Sequence, residues 1–327
     1  MDAQATEGFL RFFLELPDPR RHNVRHLFTD ILTIAILAIL CKSDDWTDVV
    51  EWARAQRNWL GTFLLLPKGI PSADTFGRVF ARIDPVAFER CFINWTKALA
   101  ASMEGKLVAV DGKTLRRSFD HAWSKQQALH LVSAWCGENQ LVLGQLAVRE
   151  KSNEITAIPA LLELLNIKGA IVSIDAMGCQ KEIAARIREK KADYLLAVKD
   201  NQPTLHEKVQ LLCREMVLDQ TKGLSAMSYD FTSSTEQGHG RIETRKLWVT
   251  DEVHWLGQEL LGQWQDLASI ILVESTRQDL GDTTGKITTE HRYYISSVKG
   301  CNAKKMAHAV RGHWGVENQL HWRLDMS

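Results

Sequence analysis

The 327-residue chain has no excess of charge of either sign: 40 lysines and arginines face 40 aspartates and glutamates. No protein-wide positive field announces a nucleic-acid partner, so any polyanion must be held by cations gathered locally. Zinc-type or disulfide-type cysteine spacing is also missing. The six cysteines, Cys41, Cys91, Cys136, Cys179, Cys213 and Cys301, lie far apart, with no C-x-x-C and no Cys/His knuckle. They are expected as small apolar core residues in a reducing compartment. No apolar run reaches the ~20 residues needed to span a bilayer. The longest, Ile31 to Cys41, is interrupted by Thr33 and reads as a buried helix. Met1–Gly8 is acidic and polar, unlike a secretory leader, so a cytoplasmic protein without membrane contact is expected. P-loop, dinucleotide and G-x-S-x-G patterns are absent, which takes support from ATP-driven, NAD-driven and serine-hydrolase chemistry.

What is present is a chain with 45% apolar residues, long enough for two domains. Residues 1–103 read as helical. Leu27–Cys41, Trp46–Leu60 and Val86–Met103 carry apolar residues at three- and four-residue intervals, separated by proline-containing breaks. Pro71–Arg82 looks like a capped helix with Ser72 as N-cap and Arg78 and Arg82 on one face. It is either the second helix of a DNA-binding helix-turn-helix or a small packing helix with a solvated basic face. From residue 104 the pattern changes. Leu107–Val110, Ala128–Cys136 and Leu141–Val148 read as a three-stranded meander with Asn139 in a turn. A helix over Ile155–Leu165, a strand over Ala170–Ile174, a helix over Cys179–Lys191, a strand over Tyr194–Val198 and a helix after Pro203 follow. The order β-β-β-α-β-α-β-α implies parallel pairing of the later strands and a sheet covered on both faces. By fold-level analogy it is the order of an RNase H-like domain, over residues 104–327. Residues 225–298 return to strand character, at Met227–Thr232, Arg241–Thr250, Leu267–Glu274 and Ile287–Val298, and read as a mostly β insertion before a closing helix from Asn302.

Three acids stand where acids are costly. Asp111 ends the apolar run Leu107–Val110, and Asp175 ends Ala170–Ile174. Glu317 is in helical line with Val310, Trp314 and Leu324. Open α/β sheets bind ligands at the carboxyl ends of their strands, and buried carboxylates need a partner or a metal. Oxygen-only ligation suits Mg²⁺ or Mn²⁺, and two such ions suit phosphodiester chemistry. Each acid also has a plain reading, as a turn residue, a helix cap or half of an ion pair. Lys113, Arg116 and Arg117, directly after the first aspartate, are candidates to grip a DNA backbone or else form a solvated turn. Lys199 ends a strand beside Asp200-Asn201-Gln202, and Arg241 closes the loop Gly238-His239-Gly240-Arg241. Most of the eleven tryptophans are expected in the core, with Trp123 beside the basic turn as a possible stacking platform.

The segments Val108–Thr114 (VAVDGKT), Lys151–Ile155 (KSNEI), Asp175–Gln180 (DAMGCQ), Asp193–Lys199 (DYLLAVK) with Asn201-Gln202, His239-Gly240-Arg241 and Arg311–Asn318 (RGHWGVEN) resemble the H-repeat-associated transposases, a branch of the insertion-sequence DDE transposases. The resemblance runs over nearly the whole chain from Asp30 onward. It implies an RNase H-like catalytic core with a β insertion before the glutamate, and Asp111, Asp175 and Glu317 as a triad for Mg²⁺ or Mn²⁺. It implies cleavage and strand transfer at terminal inverted repeats, double-stranded element ends and target DNA as partners, a homodimer on DNA, and nucleoid association. The superfamily places a Tyr seven before, an Arg four before and a Lys seven after its glutamate. Here those positions hold Val310, His313 and Leu324, so Arg311 and His313 are the available substitutes. Because the chain stops at Ser327 within a helical pattern, a truncated, catalytically defective DNA-binding remnant is the alternative expectation.

Overall fold

In the computed structural model, residues 8–21, 24–99, 103–114, 130–138, 141–148, 154–223, 226–238, 240–281 and 287–316 are described. They fall into two compact units, Met1–Ala100 and Ala101–Met326. In the first, helices α1 (Phe28–Leu40), α2 (Trp46–Ala55), α3 (Arg57–Leu60), α4 (Ala73–Phe80) and α5 (Pro85–Leu99) follow one another. Helix α1 is so apolar that Ile31, Leu32, Ile34, Ala35, Leu37 and Ala38 are all buried. Val49, Val50 and Ala53 of α2 and Phe76 and Val79 of α4 close on it as one core, with Trp46 stacked on Phe76. Asp45 starts α2 by accepting the Thr47 and Asp48 amides at 2.6 and 2.8 Å.

Local details here differ from the sequence expectations. The helix expected over Trp46–Leu60 breaks at Gln56, whose backbone turns out of the helical region. Ser72 stands at the N-cap of α4, but its hydroxyl pairs with the Thr75 hydroxyl at 3.0 Å instead of capping a backbone amide. Arg82 lies past the end of α4, so it shares no helix face with Arg78, whose Nε donates to the Asp74 carbonyl. Cys41 is exposed, because it is the C-cap residue where α1 meets the surface.

The second unit is built on one nine-stranded sheet. Strands β1 (Leu107–Thr114), β2 (His130–Cys136) and β3 (Leu141–Val148) form the antiparallel meander, followed by α6 (Glu154–Leu164), β4 (Ile171–Ile174), α7 (Lys181–Glu189), β5 (Asp193–Val198) and α8 (Pro203–Lys222). Strands β1, β4 and β5 pair in parallel, as helix-separated connections require. Strands β6 (Asp230–Gly238), β7 (Arg241–Thr250), β8 (Ser269–Asp279) and β9 (Ile287–Ser296) form no sheet of their own. They extend the first one through β9, which lies antiparallel to β5, in the order β3-β2-β1-β4-β5-β9-β8-β7-β6. The β6–β7 hairpin turns between Gly238 and Arg241, and Gly240 takes the left-handed φ of +73° that such a turn needs. The short α9 (Gln258–Leu261) precedes β8, and α10 (Ala303–His313) closes the described chain, capped by Asn302 on the Lys305 amide at 2.9 Å.

The sheet is buried on both faces where it carries the site. All four residues of β4 and Leu107–Val110 of β1 are buried. Leu107, Ile171 and Leu195 pack with Ala303, Met306, Ala309 and Val310 of α10 on one face. Helices α6 and α7 lie against each other and pack on strands of the sheet, α6 on β2 and β3 and α7 on β5. Among the described residues no helix is long and apolar enough to cross a membrane.

Candidate active site

Strand period two decides which side chains meet under α10. Leu107 and Ile171 face α10, so Asp111 and Asp175, an even number of residues further on, fall on the same face. Register puts them side by side. The parallel pairing of β1 and β4 ends at Val110 with Ile174; Asp111 is the next residue of β1 and Asp175 the residue that follows β4. Asp111 is not the end of β1, as expected from the apolar run. The strand continues to Thr114 because β2 goes on pairing with it after β4 has stopped. Only relative to β4 does Asp111 stand at a carboxyl end.

Helix α10 reaches this spot through a glycine. A Cβ on Gly312 would strike the Leu107 side chain, so the missing side chain lets α10 close on β1. His313, the next residue, places Nδ1 2.9 Å from the Ser173 hydroxyl of β4. Burial depresses its imidazole below the ordinary value, and the nearby Asp175 carboxylate works against that shift. The imidazole is therefore held towards its neutral form.

Asp175 is fixed twice. Its Oδ1 accepts the Met177 and Gly178 amides at 3.1 and 3.3 Å, capping the short 3₁₀ turn Ala176–Gly178. That turn is braced from the segment after β5: Asn201 Nδ2 donates to the Ala176 carbonyl at 2.6 Å and Gln202 Nε2 to the Cys179 carbonyl at 3.0 Å. The Asn201-Gln202 pair singled out in the sequence thus holds the loop that carries the second aspartate.

A cleft of about 480 Å³ opens here, lined among others by Asp111, Asp175, Lys199, Arg292, His313 and Trp314. Lys199 directly follows β5, as Asp175 follows β4. Arg292 of β9 grips Glu290 with two hydrogen bonds of 2.8 and 3.0 Å and lies over the Trp314 ring, 4.6 Å from its centroid. The Arg292 guanidinium holds the Glu290 carboxyl below its usual range. Neither Arg292 nor Glu290 carried a sequence signal. Glu290 stands in an exposed run and Arg292 is half-buried, with no apolar alternation to mark either, and the pairing of β9 with β5 brings them to the cleft of the aspartates.

The other sequence candidates lie elsewhere. Lys113 is on β1, opposite Leu131 and engaged with a neighbour. Arg241, at the hairpin, pairs with Glu243 at 2.7 Å. Arg311 of α10 is bound by Glu236 of β6, with one of its bonds at 2.9 Å, and lines a neighbouring groove of about 940 Å³. Arg116, Arg117, Glu317, Trp123, His239 and Asn139 lie outside the described residues. Among the described residues no group of three or more His, Cys, Asp or Glu side chains converges as a metal site. The donor set of the cleft, Asp111 and Asp175 with a third carboxylate, Glu290, taken up by Arg292, and imidazoles but no thiol, nonetheless fits a hard divalent cation.

Comparison with known proteins supplies the class. A family model of the transposase DDE domain matches residues 102–327, and the model of the segment associated with that domain matches residues 10–96. The chain is 40% identical over 321 residues to YncI from Escherichia coli O157:H7, named as a transposase, covering 98% of this chain and 80% of that one. It is 38% identical over 315 residues to YhhI from Escherichia coli strain K12, named as an H repeat-associated transposase, covering 95% and 80%. A solved piggyBac transposase synaptic complex with hairpin DNA aligns over 97% of this chain and 63% of its own at 10% identity, but its TM-score of 0.40 carries no argument about the fold. The second unit is thus a transposase DDE domain, and the chain belongs to the H repeat-associated transposase family.

Proposed function

We propose that this protein cuts DNA at the terminal inverted repeats of an insertion element and joins the freed 3′ hydroxyl to a target phosphodiester. The observation that carries this reading is the placement of Asp111 and Asp175 one residue past the last paired positions of β1 and β4, lining one cleft. The strand order β3-β2-β1-β4-β5, with the last three parallel, supports an RNase H-like core. Asp111 and Asp175, joined by Glu317 from the segment after α10, would hold one or two Mg²⁺ or Mn²⁺ ions. When bound, such ions supply Lewis acidity at the attacking and leaving oxygens. The chain's own residues do the rest. Lys199 and Arg292 neutralise phosphates at the cleft wall. His313, kept towards neutral and oriented by Ser173, offers a hydrogen bond without adding a fixed charge near Asp175. The groove beside the cleft, lined by Lys304 and by Arg245, Arg277 and Arg311, which rest on Glu243, Asp279 and Glu236, would continue the path for a DNA backbone if phosphates displaced those carboxylates. End recognition falls to the N-terminal helices, and bringing two ends together calls for a homodimer on DNA.

The test is strand cleavage on DNA bearing the element's own ends, with Mg²⁺ or Mn²⁺. Cleavage by the wild type and its loss in Asp175→Ala support the reading, as would a cation ~2.0–2.6 Å from carboxylate oxygens of both aspartates in a metal-soaked crystal. Binding without cleavage by the wild type refutes it.

A further inference from the structure

We propose that Glu154 is a positioning residue for Asp111: its buried carboxylate sits behind the next residue, Gly112, and locks the one-sided strand end that carries the aspartate. The inference rests on the reading of Asp111 as a catalytic carboxylate.

Residues Asp111–Thr114 have lost their β4 neighbour and are paired only with β2. A strand segment held along one edge has half the ladder restraints of one held along two, so something else must keep Asp111 in place. Gly112 points to the face opposite Asp111, by alternation. There a Cβ would overlap the Glu154 carboxylate, whose farther oxygen would be only 2.9 Å away. Glu154 opens α6 and is 5% exposed, and its Oε1 is hydrogen-bonded to Nε2 of His130, itself 2% exposed. The other ring nitrogen of His130 lies 2.8 Å from the Thr114 hydroxyl, directly across the β1–β2 pair. The links therefore form a closed circuit: from β1 at Thr114 to β2 at His130, to α6 at Glu154, and back onto β1 at Gly112. Asp111 is the residue immediately before that circuit. Burying a carboxylate and an imidazole where two apolar side chains would pack more cheaply is a cost that needs a return. Gly112 and Thr114 of the segment VAVDGKT and Glu154 of the segment KSNEI, far apart in sequence, meet in this one arrangement. Without it the segment after Val110 loses its support from α6 and keeps the β2 edge, and a displacement of about 1 Å of a reacting group costs up to ~100-fold in rate.

The experiment measures cleavage kinetics of the full chain on element-end DNA for Glu154→Ala, Glu154→Gln, Gly112→Ala and the Gly112→Ala/Glu154→Ala double variant, with a thermal melt of each. Glu154→Ala is expected to lower kcat about tenfold or more while KM for DNA stays within about twofold. Glu154→Gln, which keeps an oxygen to meet His130 and the same volume, is expected to recover most of that loss. Gly112→Ala should mimic Glu154→Ala, and the double variant should be no slower than either single one, because both remove the same contact. Wild-type kcat in a folded Glu154→Ala, failure of Glu154→Gln to recover rate, or additive losses in the double variant would each overturn the proposal. Should Glu154→Ala not fold, Gly112→Ala and Glu154→Gln decide by the same criteria. Asp111→Asn separates the two readings. If that variant cleaves like wild type, the catalytic assignment of Asp111 fails and the positioning role with it. If it is dead while Glu154→Ala is unaffected, only the positioning role fails.

Discussion

Replacing Asp175 with Asn should stabilise the metal-free protein and at the same time remove its response to Mg²⁺. Neighbouring strands lie ~4.8 Å apart. Two carboxylates at about that separation repel by ~3 kcal/mol at an effective dielectric constant of 20. The cleft is open to water and salt, which reduces this to about 1 kcal/mol. Against that gain stands the cap. Asp175 Oδ1 accepts the Met177 and Gly178 amides, and Asn keeps an oxygen for both, so the loss there is no more than a few tenths of a kcal/mol, roughly. The net gain, roughly 0.6 kcal/mol, is expected to raise the melting temperature in a chelator by ~1–2 °C. In Mg²⁺ at about a hundredfold over its Kd the wild type should gain ~2.7 kcal/mol, and Asp175→Asn should gain almost none. Differential scanning calorimetry with chelator and with saturating Mg²⁺ reads both. A variant that melts several degrees lower in chelator, or that keeps the full Mg²⁺ shift, refutes the reasoning, because Asp175 would then be a structural cap and not a ligand of the ion.

Gly312→Ala drives a methyl into Leu107 and should cost ~1–3 kcal/mol in a urea titration and slow strand cleavage, since it pushes His313 away from Ser173. Loss of neither would show that α10 does not need its close approach to β1. In the first unit, burial raises the Asp30 carboxyl above its ordinary value of 3.8, against the Leu66 amide that donates to it at 2.9 Å. The folded chain then binds the proton more tightly than the unfolded one. This contribution to stability is complete below the unfolded value and is lost as pH rises through the folded one. Asp30→Asn should flatten the stability curve in that acidic window, and an unchanged slope would count against the burial argument. Exposed Cys41 should be the first thiol labelled in the native state. Cys179, pushed up to about 12 by burial and the Asp175 carboxylate, and Cys213, raised further by burial, should label only on unfolding. Peptide mapping by mass spectrometry checks the order.

Much of the second unit was legible because its strands are short, apolar and bounded by turns. Leu141–Val148 and Arg241–Thr250 lie where their alternation put them. Boundaries failed where pairing, not pattern, sets the length. The apolar run of β1 stops at Val110, yet β2 draws the strand on to Thr114. The sequence pattern of β6 covers Met227–Thr232, yet the strand starts at Asp230 and pairing with β7 carries it to Gly238 through exposed polar residues without any apolar period. In the first unit, Ser72 had the right position for a cap and the wrong partner. A hydroxyl chooses among acceptors that only three dimensions place within reach.

The amino-acid order by itself determined which stretches bury a continuous apolar run and which acids follow such runs. Burial on both faces demands apolar residues at every position, and an acid at the end of one is conspicuous. Tertiary structure alone decided which charges work together. Lys199, Arg292 and His313 reach the cleft of Asp111 and Asp175 through β5, β9 and α10. Arg241 and Arg311, equally basic in the sequence, are taken up by Glu243 and Glu236. A hydrogen bond needs ~3 Å and Coulomb attraction is screened beyond ~10 Å, and distance along the chain says nothing about which side chains come that close.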